Sequence, residues 1–230
     1  MKSGKPNRTK TVVQALGIRV ASGQLAPGAL LPSETELEQE FSVSRTVIRE
    51  AMKMLSAKGL VTVRQRHGTR VNPRQQWTWL DGELIDWLSD GRIAKAELLA
   101  FAEAREIIEP GAAALAATRA SVEQRKAIVA AYGRMEVEQA HPGRAVAADK
   151  EFHLAILEAT QNPVLQSLRH AIESILDAVF PHTVGAFADN LENHKQLASA
   201  IERGDAVAAR THMQVLLGET TQFLENCPID

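Results

Sequence analysis

Apolar residues recur at helical spacing along most of this chain, and the breaks in that pattern mark its elements. Val12, Val13, Leu16, Ile18 and Val20 predict a helix over residues 11–22, ended by Gly23 and Pro27-Gly28. Ser33-Glu34-Thr35-Glu36 reads as a capping box, in which a Ser and a Glu three residues later satisfy each other's backbone N–H groups. Leu37 and Phe41 follow one turn apart. After a tight connection at Ser42-Val43, the Ser44 hydroxyl is placed to accept from free backbone amides and open a helix to about Ala57. Val47, Ile48, Ala51, Met54 and Leu55 are its apolar stripe. Gly59 stops it, and Leu60-Val61-Thr62-Val63 and Thr69-Arg70-Val71 alternate as two short strands around the basic tip Arg64-Gln65-Arg66-His67-Gly68. That order is a winged helix-turn-helix.

Asn72-Pro73-Arg74-Gln75-Gln76 has the composition of an extended linker, which divides the chain into residues 1–75 and 76–230. Trp77, Trp79, Leu80, Leu84, Trp87 and Leu88 crowd the segment after it and are expected to staple a linker helix onto the second domain, where they could couple the two parts. From Ile93 onward every segment is helical in pattern. Leu98, Phe101, Ile108 and Leu115 lie on one helix with Pro110-Gly111 inside it, where a kink or break is expected. Ser121-Val122-Glu123-Gln124 is a second capping box, a helix over residues 145–160 follows His141-Pro142-Gly143, and Asn162-Pro163 starts another. Residues 182–188 read as a loop, and Gly204-Asp205 separates the last two helices. The fold class is mainly α: a winged helix-turn-helix followed by an all-helical bundle of about seven helices.

Charge sharpens the division. Residues 1–75 carry 13 Lys or Arg against 5 Glu, a net of +8, while the remainder carries 13 against 23, a net of −10, which together make the overall −2. A basic footprint suits nucleic acid in the first part alone. Residues 1–8 form a polar, cationic arm. The one cysteine, Cys227, excludes an internal disulfide, and no apolar run approaches the roughly 18 residues of a membrane span, so a cytoplasmic protein without a membrane partner is expected.

Arg45 and Arg49 stand one turn apart, so both guanidinium forks can enter a major groove about 12 Å wide. Thr46 and Lys53 share the polar face, and a glycine-tipped wing can approach a minor groove. The run IRVASGQLAPGALLPSETELEQEF with SRTVIREAMKMLSAKGLV resembles the DNA-binding domain of the GntR family from residue 11 to 71. The resemblance implies major-groove contacts for Arg45 and Arg49, backbone or base contacts for Ser44 and Thr46, and a wing contact for His67 and Gly68. Thr35 stands where many members carry an arginine that touches DNA.

Asp149 and His153, at i and i+4, leave one helix face in the same direction and could share a metal ion; such a pair is also found as an ion pair or a satisfied core histidine. His194 is a third candidate ligand from another helix, and Arg105 offers a fixed fork for a carboxylate. EAREIIEPGAAALAATRA, ADKEFHLAILEATQNPVLQSL and ENHKQLASAIERGDAVAA resemble the helical ligand-binding domain, called FCD, of FadR-type GntR regulators. That resemblance implies a divalent metal, zinc or similar, held by Asp149, His153 and His194 and binding an organic acid beside Arg105. The expected fourth ligand, a His, is replaced by Leu216, which leaves open a substitution by His212 or a metal-free pocket. RQQWTWLDGELIDWL, QNPVLQSL and DAVF are similar to a subgroup that controls sugar-acid catabolism, implying a galactonate-like effector whose hydroxyls could meet Asn190 or Asn193. The expected partners are operator DNA, a small acid and a second copy of the chain in a homodimer; the expected activity is repression, not catalysis. A direct metal sensor, a regulator answering another carboxylate, or a metal-dependent enzyme built on Asp149, His153 and His194 are the alternatives.

Overall fold

In the computed structural model the described residues are 7–64, 66–90, 93–183 and 187–228. They form two compact units, Met1–Ile93 and Ala94–Asp230. Of the expected arm over residues 1–8, residues 1–6 lie outside the described residues, as does Gln65 at the wing tip, while Asn7 and Arg8 form the cap and first residue of a helix instead.

In the first unit, α1 (Arg8–Ala21) begins at Arg8 because Asn7 Oδ1 accepts from the backbone N–H groups of Thr9 and Lys10. The capping box of α2 (Glu34–Phe41) is formed: the Ser33 N–H donates to Glu36 Oε2 at 2.7 Å and the Glu36 N–H to Ser33 Oγ at 3.3 Å. Ser42, left-handed at φ 51°, closes α2 and turns the chain into α3 (Arg45–Ala57). Ser44 sits at the start of α3 but its hydroxyl caps nothing, contrary to expectation. The Val47 N–H it would serve already donates to the Ser44 main-chain carbonyl at 2.9 Å, so the side chain stays exposed. Leu16, Leu37, Ile48, Ala51, Met52, Leu55 and Leu60 make the core, Met52 being buried where Met54 was expected. The strands β1 (Val61–Arg64) and β2 (Gly68–Val71) pair antiparallel with Val61 opposite Val71 and Arg64 opposite Gly68, as a wing.

The segment after the wing departs from expectation. It is no extended linker: Asn72 accepts from Thr62 Oγ1 at 2.7 Å and donates to the Gly59 carbonyl at 2.8 Å, and a 3-10 turn, Arg74–Gln76, follows. Gly59 is required there, since a Cβ at its φ of 74° would stand 2.0 Å from the Gln76 carbonyl oxygen. Arg74 lies over the rings of Trp77 and Trp79, 5.1 and 6.0 Å from their centroids, rather than in solvent or poised for DNA. The helix α4 (Gly82–Asp90) rests on α1, with Trp87 in the hollow left by Gly17, where a Cβ would come within 2.4 Å of the indole. Lys58, at the end of α3, reaches Asp81 and Glu83 at 2.7 Å and lies over Trp87. The tryptophans therefore serve the first unit, which extends to Ile93, beyond the expected boundary at residue 75.

The second unit is built of α5 (Lys95–Arg119), α6 (Val122–Glu138), α7 (Pro142–Ala159), α8 (Pro163–Gln166), α9 (Arg169–Thr183), α10 (Phe187–Arg203) and α11 (Ala206–Asn226), with no strand among its described residues. α5 is continuous through Pro110, so of the kink or break expected there the break is absent. Pro110 is buried together with Ala113, Ala116 and Ala117, and the apolar burial along this face offsets the roughly 3 kcal/mol an internal proline costs. Ser121 caps α6 in the predicted box, Asn162 Oδ1 caps α8, and Asp205 caps α11 after Gly204 at φ 76°. Of the loop expected over residues 182–188, His182 and Thr183 belong to α9, which continues through Pro181, and residues 187–188 belong to α10; residues 184–186 lie outside the described residues. α5 packs along α11 and α7 along α6, enclosing Ile128, Phe152, Leu197 and Leu217.

Candidate functional site

Two sites emerge, one in each unit. In the first, the two-turn spacing of α3 leaves Arg45, Thr46, Arg49 and Lys53 exposed, with Ser44 at the helix start and His67 and Gly68 exposed on the wing. Arg45, Arg49, Lys53, Arg64, Arg66 and Gly68 line a concave basin of about 1050 Å³ between α3 and the wing. Thr35 opens onto the same basin with a hydroxyl in place of a guanidinium. Within it Glu34, which no spacing pattern marked, accepts from Arg45 Nε at 2.7 Å and from Arg49 Nε at 3.1 Å. The hydrogen bond from Arg45 keeps the Glu34 carboxyl below the usual carboxylate range.

In the second unit, three helices bring Arg105, Asp149, His153 and His194 together, all buried. Asp149 and His153 share a face of α7 as their spacing requires, and His194 Nε2 from α10 meets Asp149 Oδ1 at 3.0 Å, with His153 Nε2 at 3.3 Å from the same oxygen. Glu109 on α5 was not anticipated, although it stands one turn beyond Arg105. It takes His153 Nδ1 at 2.5 Å and Arg105 Nε at 2.6 Å, so the arginine fork is partly committed to a carboxylate of its own chain. Arg105 Nη2 stands 3.4 Å from His153 Nε2.

The outer nitrogens define the inner ones. His194 Nδ1 lies 2.8 Å from the Asn190 main-chain carbonyl, which only accepts, so Nδ1 bears the hydrogen. The carboxylate of Glu109 makes the same demand of His153 Nδ1. Each Nε2 is then either protonated, giving an imidazolium that donates to Asp149, or a bare lone pair facing a carboxylate oxygen. Burial opposes charge on His153, but the Glu109 and Asp149 carboxylates outweigh it and raise its pKa to about 9. Burial likewise resists ionisation of Asp149, and His194 and His153 overcome it, lowering its pKa.

This donor set fits a divalent cation. Two imidazole nitrogens and a carboxylate oxygen lie within 4.8 Å of one another, and each ring is oriented through its other nitrogen, as metal-bound histidines are. Leu216 lines the cavity without offering a donor, and half-buried His212 is neither in the lining nor in the ligand cluster among the described residues, so the structure does not bring it to the site. Asn190 Oδ1 is buried there without a hydrogen-bond partner. The cavity itself holds about 30 Å³, room for an ion or water.

A winged helix-turn-helix with a cationic reading face, joined in one chain to a helical unit with a buried polar pocket, defines a ligand-responsive transcription regulator. Residues 8–71 match the bacterial regulatory proteins of the gntR family and residues 100–219 match the FCD domain. The chain is 34% identical over 223 residues to the galactonate operon transcriptional repressor of Escherichia coli K12, covering 95% of this chain and 97% of the relative. It is 33% identical to the Uxu operon transcriptional regulator of the same organism, covering 86% and 79%. Among solved structures it resembles Lar, which controls expression of the Listeria monocytogenes agr system, with a TM-score of 0.67 at 20% identity over 98% of this chain and 99% of that one. The chain belongs to the GntR family, in its FCD-containing branch. It is a DNA-binding transcription regulator and not an enzyme, and no helix among the described residues is long and apolar enough to cross a membrane.

Proposed function

We propose that this chain represses a sugar-acid catabolic operon, binding an inverted-repeat operator as a homodimer and releasing it when a galactonate-like acid enters the helical unit. Arg45 and Arg49 read base edges in the major groove, Ser44 and Thr46 hold backbone or bases, and His67 and Gly68 place the wing. Asp149, His153 and His194 hold a divalent cation, which when bound would act as a Lewis acid for a carboxylate or hydroxyl oxygen. Arg105 supplies a guanidinium to the acid, and Asn190 Oδ1 accepts from one of its hydroxyls. The observation that carries this reading is the pair of rings whose Nδ1 atoms are fixed by carbonyl and carboxylate while both Nε2 atoms converge on Asp149 Oδ1. The names of the relatives, a galactonate repressor and a Uxu operon regulator, support the sugar-acid class.

Thermal unfolding of the full chain against galactonate, related aldonates and lactate, with and without chelator, tests it. A specific acid at a hundred times its Kd stabilises the native state by about 2.7 kcal/mol. The stabilisation should vanish with chelator and be accompanied by release of DNA; a panel in which no sugar acid shifts unfolding or releases DNA sinks the effector class. Sedimentation at working concentration should give a dimer, and a monomer holding one half-site at full affinity would remove the homodimer. A second reading, in which the metal is itself the signal, is favoured by the 30 Å³ cavity, too small for a six-carbon acid without enlargement. Metal alone changing DNA affinity would select it.

A further inference from the structure

The arginines of the reading face are not free rotors. Glu34, the first residue of α2, reaches across the helix-turn-helix and takes both: Arg45 Nε donates to Glu34 Oε2 at 2.7 Å, and Arg49 Nε to Oε1 and Oε2 at 3.1 and 3.2 Å. In each case the gripped atom is Nε. A guanidinium has five N–H donors in a rigid fork, and a guanine edge can be read end-on by the two Nη groups. A carboxylate on Nε leaves that pair unspent while fixing the direction in which it points. Glu34 stands in the first turn of α2, which starts at the Ser33–Glu36 capping box and whose N-terminus favours an anion. The anion is also the single acidic side chain among the described residues lining the basin, whose cations are Arg45, Arg49, Lys53, Arg64 and Arg66. A phosphate arriving at either arginine from the Nε side must displace Glu34 or meet its charge.

We propose that Glu34 is a positioning residue for operator recognition: it presets the forks of Arg45 and Arg49 for base edges and makes indiscriminate phosphate binding by the same arginines less favourable. This rests on the reading that those two arginines meet DNA. Its consequence is a change in discrimination, whereas losing a fold-supporting residue would weaken all DNA equally.

The test uses the full-length chain, a duplex enriched by the wild type from a random-sequence library, and a scrambled duplex of the same composition, titrated over a salt series. Glu34→Gln should lower the enriched-to-scrambled affinity ratio by about tenfold, the worth of one bidentate base contact, while scrambled DNA is bound as tightly as by the wild type or more so. Glu34→Asp, too short to reach both arginines, should fall between. Should Glu34→Gln lower the thermal midpoint, the ratio is read at a temperature well below it, where circular dichroism shows the variant folded, with Glu34→Asp, which keeps the charge, as the second point. An unchanged ratio in these variants, or an equal loss on both duplexes, overturns the positioning role. If that happens while Arg45→Ala and Arg49→Ala still lower the ratio, the reading of the arginines stands alone; if those alanine variants leave the ratio untouched, both fall.

Discussion

The two polar clusters use one chemistry in opposite surroundings. On the reading face a carboxylate bridges two arginines in water, with Arg45 and Arg49 more than half exposed at 62% and 59%. In the helical unit, a carboxylate bridges an arginine and a histidine that are each 2% exposed. In water such a bridge contributes little to stability, and because it takes Nε of each arginine the Nη groups remain available to a nucleic acid. Buried, the same groups hold one another ionised against desolvation, and losing one strands the others. The first arrangement costs little to rearrange, and the second holds its groups in fixed geometry.

The contrast is tested most severely by Arg105→Ala. It should lower stability by about 3–5 kcal/mol in urea unfolding, since Glu109 is left as a buried carboxylate with His153 as its remaining ion-pair partner among the described residues. Where it folds, this variant should keep operator affinity and fail to release DNA with acid; a stability within experimental error of the wild type would show that the buried bridge behaves like the exposed one. Next is pH. With chelator present, the His153 pKa is raised from 6.5 to about 9, so its contribution is fully present below about 6.5 and is lost as pH rises through 9, a change of a few kcal/mol. A stability profile flat between pH 6.5 and 9 would contradict it, whereas His153→Gln should flatten it.

On the exposed side the effects move from stability to binding. Arg49→Ala should leave unfolding within about 0.5 kcal/mol of the wild type and weaken operator binding by about 1–3 kcal/mol, read by fluorescence anisotropy. A large stability loss would mean that the Glu34 bridge is structural after all. The smallest effect is expected for Ser44→Ala. Loss of a helix cap costs about 1 kcal/mol when the side chain makes the capping bond, but Ser44 makes none, so chemical denaturation should show less than half of that.

What was legible from the order of residues was what neighbours along the chain decide. The capping boxes at Ser33 and Ser121, the stop at Gly59, the two short wing strands and the shared face of Asp149 and His153 depend on spacings of a few residues, and all are present in the fold. The helical domain and its DNA-reading partner were legible for the same reason, reinforced by charge. Met52 rather than Met54 in the core, and an α5 unbroken at Pro110, were not, because burial against another helix outweighs a local preference.

The sequence by itself therefore determined the winged helix-turn-helix, the helical bundle, and Arg45, Arg49, Arg105, Asp149, His153 and His194 as candidate site residues. Only the tertiary structure decided that Trp87 fills the hollow at Gly17, so that α4 belongs to the first unit. It alone placed Glu34 on both arginines, Glu109 on His153, and the Asn190 carbonyl on His194. The physical reason is that periodicity fixes the face a side chain leaves from, whereas its hydrogen-bond partner, and hence its charge and tautomer, is set by the element packed opposite, which sequence spacing does not encode.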